Sequence, residues 1–123
     1  MIKNFTFKEF RCPCGCVDAG DAKVDLLEAL QTVRDLLGLP MVVTSGVRCA
    51  SHNSHIGGGK GSSHILGLAA DILIPSSGYA FLLMKAALQS EKFSRIGFGK
   101  MDETLVMHLD IDKDKVQKVL WGY

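Results

Sequence analysis

The chain has 123 residues, the size of one ordinary domain, and its 47% hydrophobic content suffices for a single packed core. Fourteen Lys and Arg against thirteen Asp and Glu leave a net charge of +1, which argues against nucleic-acid binding because that needs clustered positive charge. No apolar run approaches the roughly 18 residues that span a bilayer, and the N-terminal sequence lacks the apolar stretch of a signal peptide. We therefore expect one domain over residues 1–123, a monomer made in the cytoplasm, with no nucleic-acid or membrane partner.

The first predicted helix covers residues 22–37, with Asp21 as its cap and Gly38 as its end. Apolar residues recur at spacings of three and four along it, which predicts one buried face. After Pro40, residues 41–44 have the pattern of a short buried strand. Residues 51–63 contain four glycines and are predicted to form a loop.

The second half of the chain alternates strand and helix patterns. Residues 68–74 predict a strand that ends at Pro75, and residues 79–91 predict a second helix. Residues 95–99 and 105–111 are expected to form two strands joined by a polar turn, and residues 116–121 either a strand or a last helical turn. The mixture predicts a small α+β domain with a mostly antiparallel sheet and flanking helices.

Four cysteines occur, three of them in the run Cys12-Pro-Cys14-Gly-Cys16 and the fourth, Cys49, beside Arg48. In a reducing compartment, grouped thiols more often bind metal or stay free than form disulfides. Zinc knuckles usually separate paired ligands by two or more residues, whereas one residue separates these. Three interpretations stay open: packing as small hydrophobic side chains, a second metal held by Cys12, Cys14, Cys16 and Cys49, or a crosslink to Cys49.

A candidate metal site begins with His64, which follows the glycine-rich loop, and Asp71, which lies in an apolar strand. An isolated acid there is costly to bury unless it is paired or binds a metal. On the late strand, a period of two separates a polar face from a core face. The polar face carries Val106, His108 and Asp110, and the core face carries Leu105, Met107, Leu109 and Ile111.

Two imidazoles and a carboxylate are the three-ligand set of a catalytic zinc, which keeps a fourth position for water. Such a zinc polarises a carbonyl and suits amide hydrolysis, with a nearby carboxylate as general base. Asp110 is the candidate base because it shares a strand face with His108, and Glu103 in the preceding turn is the alternative. The competing interpretation of this strand face is a solvated surface.

Three segments carry a resemblance to a known family: SGVR at 45–48, SSHILGLAADI at 62–72 and HLD at 108–110. They resemble the core of the M15 peptidases, which are zinc D-alanyl-D-alanine carboxypeptidases, dipeptidases and related phage endolysins. The family pattern is Ser-Gly-aromatic-Arg, then Ser-x-His-x-x-Gly-x-Ala-x-Asp, and later a His on a strand. The resemblance spans residues 5–112 and implies a fold like that of hedgehog and D-Ala-D-Ala peptidases.

The resemblance also implies roles for individual residues. Arg48 matches the arginine that holds the substrate carbonyl or carboxylate and steadies the oxyanion, with a surface salt bridge as the alternative. Ser63 is expected to orient substrate or bond to a metal ligand, and His52 is a further candidate for substrate contact. The implied zinc ligands are His64, Asp71 and His108.

The chain departs from the family pattern at two informative positions. Val47 replaces the usual aromatic residue before Arg48. Leu105 stands three residues before His108, where many relatives carry the glutamate that acts as general base. The assignment of the base to Asp110 therefore depends on the late His-x-Asp pattern.

Two functional hypotheses follow. The first is a zinc peptidase that cleaves peptidoglycan stem peptides, at the terminal D-Ala–D-Ala bond or at an internal L-Ala–D-Glu bond. A phage or prophage endolysin that reaches the cell wall after phage-type release fits this hypothesis. The alternative is a non-catalytic zinc-fold binding module or a phage structural module, since fold does not settle activity.

Overall fold

The computed structural model describes residues 2–15, 20–57 and 61–122. These residues form a small α+β domain in which helices separate the first strands and the last three strands follow one another directly. The helices are a 3-10 turn at Phe7–Phe10, then α1 at Val24–Leu37, α2 at Ala50–His55 and α3 at Ser77–Ser90. The strands are β1 at Val43–Ser45, β2 at Ala69–Leu73, β3 at Arg95–Met101, β4 at Thr104–Asp110 and β5 at Val119–Gly122.

The strands form one sheet in the order β1-β2-β4-β3-β5. Three of the four pairings are antiparallel, which confirms the predicted sheet type, and β5 pairs with β3 in parallel. The strand interpretation of residues 116–121 is therefore confirmed over Val119–Gly122. Among the described residues, none of the helices has both the length and the apolar character that a bilayer span requires.

Helix α1 ends as predicted but begins later. Gly38 follows it in the left-handed conformation at φ 71°, which glycine adopts without steric cost. Asp21 does not cap it, because the carboxylate of Asp21 lies 3.5 Å from Arg11 and the helix starts at Val24. The backbone N–H of Lys23 instead donates to the carbonyl of Gly67, which ties the start of α1 to the loop before β2.

The loop predicted over 51–63 contains a short helix, α2, so the prediction is wrong for residues 51–55. The helix lacks an apolar face, and sequence periodicity therefore gave no signal for it. Its position is fixed by polar contacts instead. The Cys49 sulfur accepts a hydrogen bond from the His52 backbone N–H, and buried Asn53 accepts one from Arg48.

Strand β4 is buried on both faces. Met107 and Leu109 are fully buried in the core that α1 and α3 build on one face of the sheet. On the other face His108 and Asp110 are also buried, so the interpretation of that face as a solvated surface is wrong. Leu105, predicted as core, is 41% exposed because it lies beside the hairpin turn at the end of the sheet.

Candidate metal centre

Three side chains converge where β2 and β4 pair. Asp71 on β2 lies directly opposite His108 on β4, and opposed residues in an antiparallel pair project from the same face. His64 reaches them from the loop that leads into β2. We refer to His64, Asp71 and His108 as the ligand group.

The ligand group has the dimensions of a tetrahedral zinc site. Asp71 Oδ1 lies 3.2 Å from His64 Nε2 and 3.1 Å from His108 Nδ1, and the two nitrogens lie 3.2 Å apart. Zinc bonds of 2.0–2.1 Å in a tetrahedron imply ligand-to-ligand distances of about 3.3 Å. All three side chains are buried. The spacing therefore fits one zinc ion without rearrangement of the ligands.

Hydrogen bonds set which nitrogen of each imidazole faces the centre. His64 Nδ1 is 2.7 Å from the carbonyl of Gly46, so it donates there and leaves the Nε2 lone pair for a metal. His108 Nε2 is 2.7 Å from Asp110 Oδ2, and that contact leaves Nδ1 facing the centre. Two lone pairs and a carboxylate oxygen pointing at one place repel each other unless a cation or a proton lies between them. The donor set thus fits a metal ion.

Arg48 lies against the ligand group and is only 5% exposed, so the surface salt-bridge interpretation is wrong. Its Nη2 donates to Asp71 Oδ2 at 3.0 Å. Its Nε donates to Ser45 Oγ at 3.0 Å, and its Nη1 donates to Asn53 Oδ1 at 3.3 Å. The guanidinium therefore holds one carboxylate oxygen of Asp71, and the other oxygen faces the two imidazoles, where it could bind a metal ion.

Asp110 is 1% exposed, and both of its carboxylate oxygens accept hydrogen bonds. Oδ2 accepts from His108, whereas Oδ1 accepts from Arg95 Nε at 2.8 Å and from the backbone N–H of Asp112 at 3.1 Å. A carboxylate that accepts the second N–H of a metal-binding imidazole fixes the orientation of that ring and raises its basicity. This geometry favours a positioning role for Asp110.

Glu103 is exposed in the β3–β4 turn, where it takes a left-handed φ of 68°. The strand rise of about 3.4 Å per residue puts it roughly 17 Å along β4 from His108. That separation is too large for a proton transfer within the ligand group.

Ser63 and His52, the predicted substrate contacts, lie outside the ligand group. The Ser63 hydroxyl donates to Asp112 Oδ2 at 2.9 Å and accepts from Lys115 Nζ at 2.9 Å. Lys115 also donates to the carbonyl of Gly61, so these contacts fasten the loop that presents His64. His52 lies half-buried on α2.

Sequence reasoning missed Trp121, which packs against His108 with ring centroids 5.4 Å apart. The guanidinium of Arg95, a residue of the neighbouring strand β3, lies 5.2 Å from the centroid of the indole ring. Gly97 makes room for the ring, because a Cβ there would lie 2.5 Å from the indole. The parallel pairing of Gly97 with Trp121 places the indole beside His108. The only sequence signal for this role was that the chain contains a single tryptophan.

Gly97→Ala is expected to push Trp121 away from His108. Overpacking of this kind costs about 1–3 kcal/mol of unfolding free energy. Urea unfolding measures that loss, and the fluorescence of the single tryptophan reports the displaced ring. Gly122→Ala is the matched control, since a Cβ there meets nothing nearer than 4.0 Å. Equal stability and equal fluorescence in the two variants would contradict the close approach.

The pKa values of the ligand group follow from burial and mutual contact. Burial lowers the pKa of His64, and the positive charge of Arg48 lowers it further. The contact with Asp71 raises that pKa but does not outweigh burial. Burial alone raises the pKa of Asp71, but the hydrogen bonds with His108 and His64 outweigh it and hold that pKa well below its usual range. Burial also lowers the pKa of His108, but its bonds to Asp110 and Asp71 prevail and raise it.

Zinc affinity is expected to fall as the pH falls through the pKa of His108, because zinc must displace the proton held there. That pKa lies above the ordinary 6.5, so the loss begins above pH 6.5, and affinity levels off once His108 is neutral. Zinc titration against a competing chelator at stepped pH measures the effect. An affinity that does not change through this range would contradict it.

Comparison with known proteins agrees with this geometry. A family model described as Peptidase M15 matches residues 3–110. Over 92 residues the chain is 36% identical to the zinc D-Ala-D-Ala carboxypeptidase of Streptomyces albus G, and the match covers 68% of this chain and 36% of that protein. The chain thus matches about a third of the length of that relative. These findings confirm the resemblance predicted from the sequence motifs, and the chain belongs to the peptidase M15 family.

Proposed function

We propose that the protein is a zinc-dependent peptidase that hydrolyses the terminal D-Ala–D-Ala bond of peptidoglycan stem peptides. The observation that carries this proposal is the ligand group, in which three buried donors lie 3.1–3.2 Å apart around one point. Three protein ligands leave a fourth zinc position for water or substrate, as catalytic sites require. The activity named for the Streptomyces albus G relative supports the choice of bond.

His64, Asp71 and His108 would hold the zinc ion in this proposal. When bound, zinc supplies Lewis acidity that polarises a carbonyl and lowers the pKa of a water molecule. Arg48 holds Asp71 in place through Oδ2, which keeps one oxygen of that carboxylate directed at the centre. The fixed positive charge of Arg48 beside the centre also suits a developing oxyanion or a substrate carboxylate.

Asp110 is proposed to act through His108 and not directly on the water. Its oxygens are occupied by the His108 ring, Arg95 and the backbone of Asp112, which supports this positioning role. The general-base role inferred from the sequence is the competing assignment. Ser63 is proposed to act on the loop that carries His64, while substrate contact by His52 stays a prediction.

The deciding experiment incubates the zinc-loaded protein with purified peptidoglycan fragments and identifies the products by mass spectrometry. Release of one terminal alanine, abolished by a chelator and by His64→Ala, is the expected result. Release of the stem peptide at its L-Ala would instead establish an endolysin-type endopeptidase that cleaves the L-Ala–D-Glu bond. The absence of any chelator-sensitive product would overturn the proposal in favour of the binding-module alternative.

The cellular setting stays a prediction from the sequence. Action on the cell wall after phage-type release and a monomeric state are compatible with the proposed substrate.

A further inference from the structure

We propose that Cys12, Cys14 and Cys49 bind a second, structural zinc ion that fastens the N-terminal segment to the loop carrying Arg48. These three residues form the thiol cluster, which shares no member with the ligand group. The proposal is independent of the peptidase activity, because it concerns a separate set of donors. Cys16, the fourth thiol considered from the sequence, lies outside the described residues.

The sulfur atoms of the thiol cluster are spaced for a metal ion and not for a disulfide. Cys14 Sγ lies 3.2 Å from Cys12 Sγ and 3.3 Å from Cys49 Sγ, and all three lie within 4.8 Å of one another. A disulfide requires about 2.05 Å. Zinc–sulfur bonds of 2.3 Å in a tetrahedron imply sulfur separations of about 3.8 Å, so each of the two distances from Cys14 Sγ needs to grow by only about half an ångström.

Backbone amides already point at two of the sulfurs. The N–H of Cys49 donates to Cys12 Sγ at 3.4 Å, and the N–H of His52 donates to Cys49 Sγ at 3.3 Å. These hydrogen bonds hold the two sulfur atoms in place at the cluster. Zinc binding would release one proton from each thiol, and a water or a further donor would complete the tetrahedron.

The three thiols differ in their exposure to solvent. Cys12 is buried, Cys49 is half-buried and Cys14 is exposed. An ion can therefore enter from the side of Cys14 while Cys12 anchors it to the domain. The soft sulfur donors favour zinc or a similar thiophilic metal over magnesium or calcium.

The cluster joins two segments that meet beside the ligand group. The N–H of Val47 donates to the carbonyl of Phe10 at 2.7 Å, and a Cβ on Gly46 would lie 2.6 Å from the Cα of Phe10. The segment of Gly46, Val47 and Arg48 also contacts His64. The carbonyl of Gly46 accepts a hydrogen bond from the His64 ring, and the backbone N–H of Arg48 donates to the His64 carbonyl. A metal bridge from residues 12 and 14 to residue 49 would therefore hold the segment that orients His64 and Arg48.

The test counts metal in the full chain and identifies its ligands. Elemental mass spectrometry of the purified wild-type protein is expected to find two zinc ions per chain. His64→Ala and the double variant Cys12→Ser/Cys49→Ser are each expected to retain one. Ser54→Ala, an exposed position on the same short helix as His52, is the control and should retain two.

Cobalt substitution of the wild-type protein gives a measurement that does not depend on the folding of a cysteine variant. Thiolate ligands produce an intense sulfur-to-cobalt charge-transfer absorption in the near ultraviolet, whereas imidazole and carboxylate ligands do not. The band is expected in wild type and in His64→Ala, and its absence from both would overturn the proposal. A wild-type protein that binds a single zinc ion, which is lost in His64→Ala, would also overturn the proposal. So would alkylation experiments that show the thiols to be oxidised in pairs.

These readouts separate the second metal from the proposed peptidase. A protein with two zinc ions and no hydrolysis would overturn the peptidase proposal alone. A protein that hydrolyses stem peptides with one zinc ion and no thiolate band would overturn the structural zinc alone.

Discussion

Asp71→Asn is expected to abolish zinc binding by the ligand group and to reduce peptide hydrolysis to the background rate. The carboxylate of Asp71 faces both imidazoles through Oδ1 and accepts from Arg48 through Oδ2. The neutral amide removes the negative charge that balances a divalent ion. It also breaks the buried ion pair between Arg48 and Asp71, and removal of one member of such a pair costs about 3–5 kcal/mol in folding stability.

Metal content and hydrolysis measure the first part of this prediction, and urea unfolding of the metal-free protein measures the second. Asp25→Asn is the matched control, because Asp25 is an exposed residue of α1. Retention of a full equivalent of zinc at the ligand group in Asp71→Asn would contradict the assigned ligands. Unchanged stability of the metal-free variant would contradict the importance of the Arg48 ion pair.

Asp110→Asn is expected to weaken zinc binding by about 10–100-fold, the usual effect of losing a partner of a metal-bound histidine. The amide no longer holds the His108 ring by a charged hydrogen bond, and it also deprives Arg95 of its ionic partner. Hydrolysis is expected to recover largely when zinc is supplied in excess, because the positioning role acts through metal affinity and ring orientation.

Zinc affinity and kcat measured over a range of free zinc concentrations separate the two roles of Asp110. Full zinc affinity combined with a lost kcat would assign the general-base role to Asp110 and overturn the positioning role. Glu103→Gln serves as the control, since Glu103 is exposed in the hairpin turn. Loss of activity in that variant would contradict the distance argued from the strand rise.

The elements with a local signal were predictable from the sequence. The left-handed Gly38 ends α1 where the helical pattern stops. Strand β2 lies within the predicted residues 68–74, and β4 at Thr104–Asp110 is shifted by one residue from the predicted 105–111. The resemblance implied the three ligands, and the antiparallel register that opposes Asp71 and His108 accounts for their meeting. Local pattern and topology therefore agree at the metal centre.

The features that sequence reasoning missed depend on contacts between distant residues. The parallel pairing of β5 with β3 joins segments whose spacing gives no local sign of partnership. Helix α2 has no apolar periodicity and depends on the contacts of Cys49 and Asn53. The burial of Asp110 depends on Arg95, which lies 15 residues away and presents no motif.

Because Asp71 and His108 lie opposite each other, zinc binding at the proposed site would depend on the alignment of β2 with β4. A slip of one residue between β2 and β4 would turn His108 toward the helices and Met107 toward the ligand site, since side chains alternate along a strand. At the proposed site only the native alignment brings the three ligands together, so bound zinc would favour that alignment by mass action. At a free zinc concentration 1,000 times the dissociation constant, that selection is worth about 4.1 kcal/mol. Amide hydrogen exchange in the centre of the sheet should consequently slow when zinc is added, well beyond the residues that touch the ion.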